Sequence, residues 1–324
     1  MKIGLPLALM HHYYFPLWKT LFEELGCEVV VSDETTGALL EEGIKLSTSE
    51  LCVPIKVFNA HVVNLLNKGV DYCFIPRFVS FGEHEWYCPK FLGLPTVVEF
   101  SIPNFTGKML TIDIETKRED TCELKNYLPL CDKLNVTKKQ LKHALKLAGN
   151  RFAEFRKIMQ KGYTIDEAYR ILNGEKVDEA YKQSPVTIGV LGYVYNVYDK
   201  MISMDIIARL RKANINVVTF EMLDDIHTIN RKKATEKPLF WIFARKIYNA
   251  RKYLTETKKV DGFIHVTAFA CGPDAVIGKM FEIECEDEKV PFMTIRIDEH
   301  SGESHIQTRL EAFCDMLIRK KNKL

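Results

Sequence analysis

Short apolar runs alternate with longer amphipathic stretches along the first hundred residues. The runs are rich in β-branched or aromatic side chains, as buried strands are, and they lie at 2–5, 27–32, 70–81 and 96–100. Between them, residues 17–25 and 57–66 place apolar side chains at helical spacing, and Gly26 and Gly69 follow as stop signals. Strands that alternate with helices predict a parallel sheet covered on both faces.

The same pattern returns from residue 186 onward. Ile3-Gly4 is echoed by Ile188-Gly189, and an aromatic turn follows each pair. Further on, Phe-Asn-Ala precedes Val70-Asp71 by the same interval as Tyr-Asn-Ala precedes Val260-Asp261. Each half then reaches a cysteine–proline turn and a strand that begins just after a proline. These echoes in the same order predict an internal duplication. The predicted fold class is α/β, with two similar flavodoxin-like or Rossmann-like lobes and parallel sheets.

The stretch from Asp113 to Ser184 breaks the alternation. It is rich in Lys, Glu, Ala and Leu, and the apolar residues from Leu141 to Ile158 keep helical spacing. We interpret it as helical, either lying across or between the lobes or serving as a solvated linker. The predicted domains are an N-terminal lobe at 1–112, a helical connecting segment at 113–185 and a C-terminal lobe at 186–324.

Composition limits the classes of protein that fit this pattern. The 324 residues are 47% hydrophobic and 27% charged, which is ordinary for a globular protein with more than one core. A net charge of +2 gives no bulk electrostatic reason to expect nucleic acid or a membrane surface as a partner. No run reaches the roughly 18 apolar residues of a membrane helix. The first apolar run ends at His11-His12 without a cleavage pattern, so the sequence predicts a cytoplasmic protein.

Nine cysteines in a reducing compartment leave metal binding, redox chemistry or inert core packing as alternatives. Three stand apart because proline follows within two residues, in the turns Cys52-Val-Pro, Cys88-Pro-Lys and Cys271-Gly-Pro. Cys88 and Cys271 follow predicted strands, and ligands collect at the carboxyl ends of parallel strands. The prolines favour helix starts directly behind Cys52 and Cys271, where the helix dipole is expected to lower a thiol pKa.

A thiolate is the form of cysteine that binds iron, so these three positions suit a shared site in a cleft between the lobes. Ferredoxin-like or zinc-type C-x-x-C spacing is absent, and spacing alone therefore leaves inert packing open. Cys27 and Cys73 lie in strand patterns and are interpreted as core residues. The remaining four have no turn around them and are not expected to be ligands: Cys122, Cys131, Cys285 and Cys314.

Other polar side chains are further candidates, each with a structural alternative. The histidines and tyrosines at 11–14 follow the first strand and face either a substrate or the protein core. The Glu-His-Glu run at 83–85 offers acid–base groups beside Cys88 or forms a solvated loop. Lys56 and Lys90 are near enough to the cysteines to offset thiolate charge. Arg309 is a candidate for binding an anionic group.

Several motifs, including those around the three cysteines, resemble the acyl-CoA dehydratase activase-related family over nearly the whole chain. The motifs that carry the resemblance are Met1-Lys-Ile-Gly-Leu-Pro, Tyr14-Phe-Pro-Leu-Trp18, Glu50-Leu-Cys-Val-Pro-Ile-Lys56, Tyr87-Cys-Pro-Lys-Phe91, Ala270-Cys-Gly-Pro-Asp274, and Asp298-Glu-His-Ser-Gly302 with Thr308-Arg-Leu-Glu-Ala-Phe313. The family is similar to 2-hydroxyacyl-CoA dehydratase and benzoyl-CoA reductase subunits and to double-cubane cluster proteins. The resemblance implies that Cys52, Cys88 and Cys271 hold a [4Fe-4S] cluster, alone or as part of a larger double-cubane cluster.

The resemblance also implies a role in low-potential electron transfer or in activating an ATP-driven reductase or dehydratase. The chain has no G-x-x-x-x-G-K-[ST] loop, so ATP hydrolysis is expected from a separate activase protein. A second copy or a related subunit, and an acyl-CoA or other small substrate, are the other expected partners. The alternative class is a cluster-free, two-lobed cytoplasmic protein that binds a small ligand or acts as a scaffold, which the duplication alone supports equally.

Overall fold

The structure is a computed structural model that describes residues 1–82, 85–103, 105–229, 239–299 and 303–322. The chain forms two compact units. The first unit is Met1–Phe155 with Phe240–Ile242, and the second is Arg156–Leu239 with Phe243–Leu324. Within the described ranges, no helix combines the length and apolar character needed to cross a membrane.

The first unit contains a four-stranded parallel sheet and a separate parallel pair. Its strands are β1 (Lys2–Leu5), β2 (Glu28–Val31), β3 (Tyr72–Phe74), β4 (Arg77–Phe81), β5 (Met109–Leu110) and β6 (Asp113–Thr116). The helices in this part of the chain are α1 (His11–Glu24), α2 (Gly37–Lys45), α3 (Val53–Asn67), α4 (Pro89–Leu92), α5 (Leu94–Ser101), α6 (Leu124–Tyr127), α7 (Pro129–Leu134) and α8 (Lys138–Met159). The sheet order is β2-β1-β3-β5, and β4 pairs with β6.

The core of the first unit lies between this sheet and its helices. Ile3 and Leu5 of β1 are fully buried, as are Phe22 of α1 and Leu65 of α3. Gly4 allows the approach of α3, because a Cβ at this position would lie 3.1 Å from the Leu65 Cδ1 atom. The apolar faces of α1 and α3 are therefore buried against the sheet.

The second unit repeats the four-stranded sheet. Its strands are β7 (Thr187–Leu191), β8 (Asn216–Val218), β9 (Gly262–Ala268) and β10 (Phe292–Ile297). The remaining helices are α9 (Ile165–Leu172), α10 (Val194–Tyr198), α11 (Ile206–Lys212), α12 (Asp225–Thr228), α13 (Ile242–Glu256), α14 (Gly272–Asp287) and α15 (Glu303–Asn322). All pairs are parallel, in the order β8-β7-β9-β10.

The predicted duplication is visible in both topology and hydrogen bonding. Both sheets have the order second, first, third, fourth strand, which is that of flavodoxin-like folds. Asp71 and Asp261, the acidic members of the two Val-Asp pairs, occupy equivalent positions. Asp71 Oδ2 accepts the Lys2 backbone N–H at 2.7 Å, and Asp261 Oδ2 accepts the Thr187 backbone N–H at 2.8 Å. The predicted fold class of two parallel α/β lobes is confirmed.

Several element predictions in the first lobe are wrong. The run at 96–100 belongs to helix α5, and the fourth strand of the sheet is β5. The apolar region at 70–81 forms two strands, β3 and β4, in different sheets. The aromatic segment after β1 is the first turn of α1, which begins at His11. The stretch predicted as helical from Asp113 begins instead with strand β6.

Candidate metal centre

The three predicted ligand cysteines share one local geometry. Cys52 precedes α3, Cys88 precedes α4 and Cys271 precedes α14, each as the N-cap residue with extended backbone dihedrals. Proline occupies one of the first two helical positions in each case, where its missing N–H costs no hydrogen bond. The helix starts predicted behind Cys52 and Cys271 are confirmed, and Cys88 has the same arrangement.

Cys52 is held by buried neighbours on both sides. Leu51 is 7% exposed, and Val53 and Ile55 are each 2% exposed. The Cys52 carbonyl accepts the backbone N–H groups of Ile55 at 3.0 Å and Lys56 at 3.2 Å. The first turn of α3 therefore fixes the backbone that carries this thiol.

Cys88 is anchored by aromatic packing against β4. Tyr87 and Phe91, on either side of it, are each 2% exposed. Their ring centroids lie 5.1 and 5.9 Å from that of Phe78 on β4. The Tyr87 backbone N–H also donates to the Val79 carbonyl at 3.3 Å. Aromatic side chains bury large areas, so these contacts hold the turn firmly to the strand.

Cys52 and Cys88 share one electrostatic environment within the first unit. Negative charge on the Cys88 sulfur raises the pKa of the Cys52 thiol, while Lys90 lowers the pKa of both thiols. These two predicted ligands therefore interact electrostatically. The structure places Lys90 where a cation offsets thiolate charge, as the sequence predicted. Lys56, the other predicted cation, is buried in α3 and 2% exposed.

Burial reverses the expected effect of the helix starts on acidity. Loss of solvation raises the pKa of Cys52 to about 11 and also raises the pKa of Cys88. The Ile55 backbone N–H at Cys52, and the Phe91 and Lys90 backbone N–H groups at Cys88, lower these pKa values but are outweighed. The prediction of lowered thiol pKa values is therefore wrong for these two residues. Both carry a proton at neutral pH that a metal must displace.

Cys271 lies in the second unit, just beyond β9. The chain turns sharply here, with Ala270 at a φ of 62° in the left-handed region, which is uncommon for a residue other than glycine. The Cys271 backbone N–H donates to the Ala268 carbonyl at 3.2 Å, and its own carbonyl accepts the Ala275 N–H at 3.0 Å. The thiol is half-buried. As predicted, Cys271 follows the carboxyl end of a parallel strand.

The donor set consists of thiols. No disulfide joins any of the nine cysteines, all of which lie in the described ranges, and soft thiolate donors suit iron–sulfur clusters and zinc. Cys73, Cys285 and Cys314 are buried, and burial raises the pKa of each. Across the part of the chain that the structure describes, no group of three or more His, Cys, Asp and Glu residues is placed to hold a metal ion.

His11 lines a small cavity where β1 and β3 end. The cavity measures about 20 Å³ and is otherwise mostly apolar, with Leu9, Trp18 and Phe91 among its walls. His11 is 2% exposed, and its two ring nitrogens have no hydrogen-bond partner among the described residues. Burial lowers the pKa of the imidazole well below its usual value, so the ring is neutral at physiological pH. Of the two alternatives for the segment at 11–14, a substrate or the protein core, His11 therefore faces the core.

The remaining predicted candidates lie apart from this geometry. Glu83 and His84 of the acidic run lie outside the described residues. Arg309, the predicted anion ligand, donates through Nη2 to the Thr294 carbonyl at 2.8 Å. The function of these residues stays a prediction.

Sequence reasoning missed a buried polar network in the first unit. His61 Nδ1 lies 2.7 Å from Ser32 Oγ, and His61 Nε2 lies 2.9 Å from Thr35 Oγ1. Ser32 Oγ also accepts the Leu7 backbone N–H at 2.7 Å, so the hydroxyl links the imidazole to the segment that follows β1. The signal was a histidine on the apolar face of the helix predicted at 57–66, where a lone polar side chain needs partners.

The fold and the cysteine positions define a class of protein. It has two parallel α/β units of flavodoxin-like strand order, with thiols at the N-termini of proline-led helices. A family model described as CoA enzyme activase uncharacterised domain matches residues 2–223, and the chain belongs to this family. A model of the 2-hydroxyglutaryl-CoA dehydratase D-component matches residues 179–317. No curated protein matches the chain. The resemblance to the acyl-CoA dehydratase activase-related family is confirmed.

Proposed function

We propose that this chain is an iron–sulfur protein of low-potential electron transfer, or one that activates an ATP-driven reductase or dehydratase. Its proposed ligands are Cys52, Cys88 and Cys271, which hold one [4Fe-4S] cluster, alone or as part of a double-cubane cluster. One observation carries the proposal. The three cysteines singled out by the sequence are all N-caps of helices with proline in the first two positions.

The proposal divides the ligands unequally along the chain. The N-terminal lobe at 1–112 contributes Cys52 and Cys88, and the C-terminal lobe at 186–324 contributes Cys271. The helical segment at 113–185 contributes none, although it contains Cys122 and Cys131. Neither Cys122 nor Cys131 is followed by proline within two residues, so neither has the turn that the three proposed ligands share.

The groups around Cys52 and Cys88 suit a sulfur-ligated, anionic cofactor. Lys90 lowers the pKa of both thiols and so favours their charged, metal-binding form. The backbone N–H groups of Ile55 and Phe91 act in the same direction, and such donors near cluster sulfurs tune potential. A bound cluster would supply a one-electron redox centre of low potential. The buried turns would limit access of water to the two thiolates.

The family matches support the proposed partners. The CoA enzyme activase domain and the dehydratase D-component favour an activase protein as the source of ATP-driven electrons. A related subunit or a second copy is the proposed assembly partner. An acyl-CoA is the proposed substrate class, and the reducing cytoplasm is the proposed compartment, because free thiols persist there.

The test is anaerobic reconstitution with iron and sulfide. We expect a brown protein with about four irons per chain, as one cubane cluster requires, and a magnetic resonance signal after reduction. Replacement of Cys88 or Cys271 with serine should abolish colour and signal. Cys285→Ser and Cys314→Ser are matched controls that should keep both, because these two cysteines are buried away from any turn.

A colourless wild-type protein after anaerobic reconstitution would overturn the proposal. It would favour the alternative, a cluster-free protein that binds a small ligand or acts as a scaffold. Colour retained in the Cys88→Ser and Cys271→Ser variants would overturn the ligand assignment instead.

A further inference from the structure

Helix α14 presents an apolar stripe to solvent. Val276 is 53% exposed and Ile283 is 51% exposed, and Met280 between them is half-buried. Their spacing of four and then three residues places all three on one face of the helix. The buried residues Ile277 and Phe281 belong to the other face, which packs against β9 and β10. Single exposed apolar residues are ordinary, but a stripe along one helix indicates an interaction surface.

Acidic side chains continue this stripe in the last turn of α14. Glu286 and Asp287 are exposed and follow Ile283 by three and four residues, so they lie beside it on the helix. Neither carboxylate forms a salt bridge within the described ranges, and the last turn of α14 contains no basic residue. Negative charge at the C-terminal end of a helix opposes the helix dipole. Two carboxylates that disfavour their own helix indicate a positively charged partner.

The last turns of α15 carry the complementary arrangement. Met316 is 44% exposed, and the exposed residues Arg319 and Lys320 follow it by three and four positions. The spacing is the same as that of Ile283 and the two carboxylates on α14, with opposite charge. Neither Arg319 nor Lys320 forms an ion pair with a residue that the structure describes. Both cations suit the C-terminal end of a helix and are available to a partner.

Helices α14 and α15 lie on opposite faces of the second sheet. His265 of β9 faces α14, because a Cβ at Gly278 would lie 2.9 Å from His265 Cε1. Gly262, three residues earlier on β9, faces α15, because a Cβ there would lie 3.2 Å from Phe313 Cζ. Residues three apart on a strand point to opposite faces of the sheet. The sheet therefore separates the two surfaces within one copy, and they can meet only between copies.

We propose that the basic end of α15 in one copy docks on the acidic, apolar face of α14 in a second copy. Met316 packs against Ile283, and Arg319 and Lys320 pair with the carboxylates of Glu286 and Asp287. The contact joins two different surfaces, so it is heterologous and links copies head to tail.

Two helix faces bury less than the roughly 1,200 Å² of a standard interface, so the association is weak and depends on concentration. The inference rests on the second copy named among the proposed assembly partners, and it gives that copy a surface. It does not depend on the cluster, because none of these residues is a proposed cluster ligand.

The first experiment is sedimentation velocity of the metal-free, reduced full chain at roughly 1–200 μM, the range of weak interfaces. We expect the wild type to associate as its concentration rises, and less so in high salt. Ile283→Glu should weaken association roughly tenfold or more, because it removes an apolar contact and adds a negative charge. Phe100→Glu, at an apolar residue of α5 that is 84% exposed, is the matched control and should associate like the wild type.

Charge reversal identifies the two surfaces. A first variant carries Glu286→Lys with Asp287→Lys, and a second carries Arg319→Glu with Lys320→Glu. Each variant alone should stay monomeric, because like charges then face each other. An equimolar mixture should associate again, because each variant supplies the charge that the other lacks. Near-ultraviolet circular dichroism checks folding, and the first variant should unfold at no lower temperature than the wild type, since lysines suit a helix C-terminus.

Three outcomes would overturn the proposal. The first is a wild type that stays monomeric at about 200 μM. The second is an Arg319→Glu, Lys320→Glu variant that associates like the wild type, which would favour α14 pairing with α14 of the second copy. The third is a mixture of the two charge-reversed variants that stays monomeric. All of these measurements use metal-free protein, so failure of the cluster proposal would not affect them, and their failure would leave the cluster proposal standing.

Discussion

At the scale of single residues, burial decides the chemistry of the candidate thiols. Cys52 lies at a helix start that favours a thiolate, yet loss of solvation raises its pKa to about 11 from an ordinary 9.0. The positive end of α3, the Ile55 N–H and Lys90 reduce this cost without cancelling it. A protein that binds metal here gains the thiolate from the metal itself, and proton release accompanies binding.

The raised pKa of Cys52 predicts an unusual pH profile for its alkylation. In the native, metal-free chain the rate should still rise about tenfold per pH unit between roughly pH 8.5 and 10, because only the thiolate reacts. Iodoacetamide labelling followed by peptide mass spectrometry measures it. The chain unfolded in urea is the control, where the rate should level off near pH 9.0, the ordinary thiol value. A native profile that levels off at or below that pH would contradict the burial argument.

His61 predicts a loss of stability in acid. Burial lowers its pKa to about 3, from an ordinary 6.5, so the folded chain resists a proton that the unfolded chain accepts. The stabilising contribution is present above pH 6.5 and is lost as pH falls toward 3, at a limiting slope of about 1.4 kcal/mol per pH unit. Urea denaturation between roughly pH 7.5 and 5 measures this slope.

The matched variants separate His61 from acid effects elsewhere. His61→Gln should cost about 1–3 kcal/mol at neutral pH, since Ser32 and Thr35 lose a partner. Its stability should nevertheless fall less steeply in acid than that of the wild type. His143→Gln, at an exposed position on α8, should keep the wild-type slope. Equal slopes in all three proteins would show that another group controls acid stability.

At the scale of elements, the helix that carries Cys52 depends on a neighbour that the sequence pattern did not reveal. Helix α2 packs against α3, and Gly43 lies at the contact. A Cβ at Gly43 would lie 2.2 Å from the Lys56 carbonyl oxygen and 3.2 Å from the Val57 backbone nitrogen. Backbone atoms cannot turn aside as a side chain does, so glycine is required for the two helices to pack this closely.

Two glycines of α2 therefore predict opposite results. Gly43→Ala should destabilise the protein by about 1–3 kcal/mol through overpacking against α3. Gly37→Ala has nothing within 4 Å of the added Cβ and should change stability little, or raise it by about 0.4–1 kcal/mol. Chemical denaturation of both variants measures the difference. Equal effects would show that α2 does not pack on α3 as described.

The elements also show where sequence reasoning succeeded and failed. The bounds predicted for β1 are the observed ones. A short apolar run next to turn residues is typical of a buried strand. The β-branched residues at 96–100 predict a strand, but Pro95 lies in the first turn of helix α5 there, and a short apolar run fits either structure. Helix α2 was missed because two glycines weaken its helical signal. Proline next to each cysteine indicates a helix start from local sequence alone. The thiol pKa values could not be predicted in the same way, because burial depends on tertiary packing.

At the scale of the whole molecule, the two units share a hydrogen bond between an aspartate and a strand as well as a strand order. In each unit an aspartate just before the third strand accepts the backbone N–H of the first strand's opening residue. The same residue type thus fixes the register of the same strand pair twice. The two cysteine–proline turns at Cys88 and Cys271 follow this hydrogen bond in both halves, whereas Cys52 belongs to the first half alone.

Replacing these aspartates with alanine tests whether the two hydrogen bonds are equivalent. Asp71→Ala should cost about 1 kcal/mol, since it removes one acceptor for a strand N–H. Asp261→Ala should cost more, because Asp261 Oδ1 also pairs with Lys321 at 2.6 Å, although an exposed pair adds at most about 1 kcal/mol. Hydrogen exchange should increase in β1 and β3 for the first variant, and in β7 and β9 for the second. Asp132→Ala, exposed on α7, should change neither. Each aspartate is expected to fix only its own strand pair. A single substitution that increases hydrogen exchange in both sheets would contradict this local role.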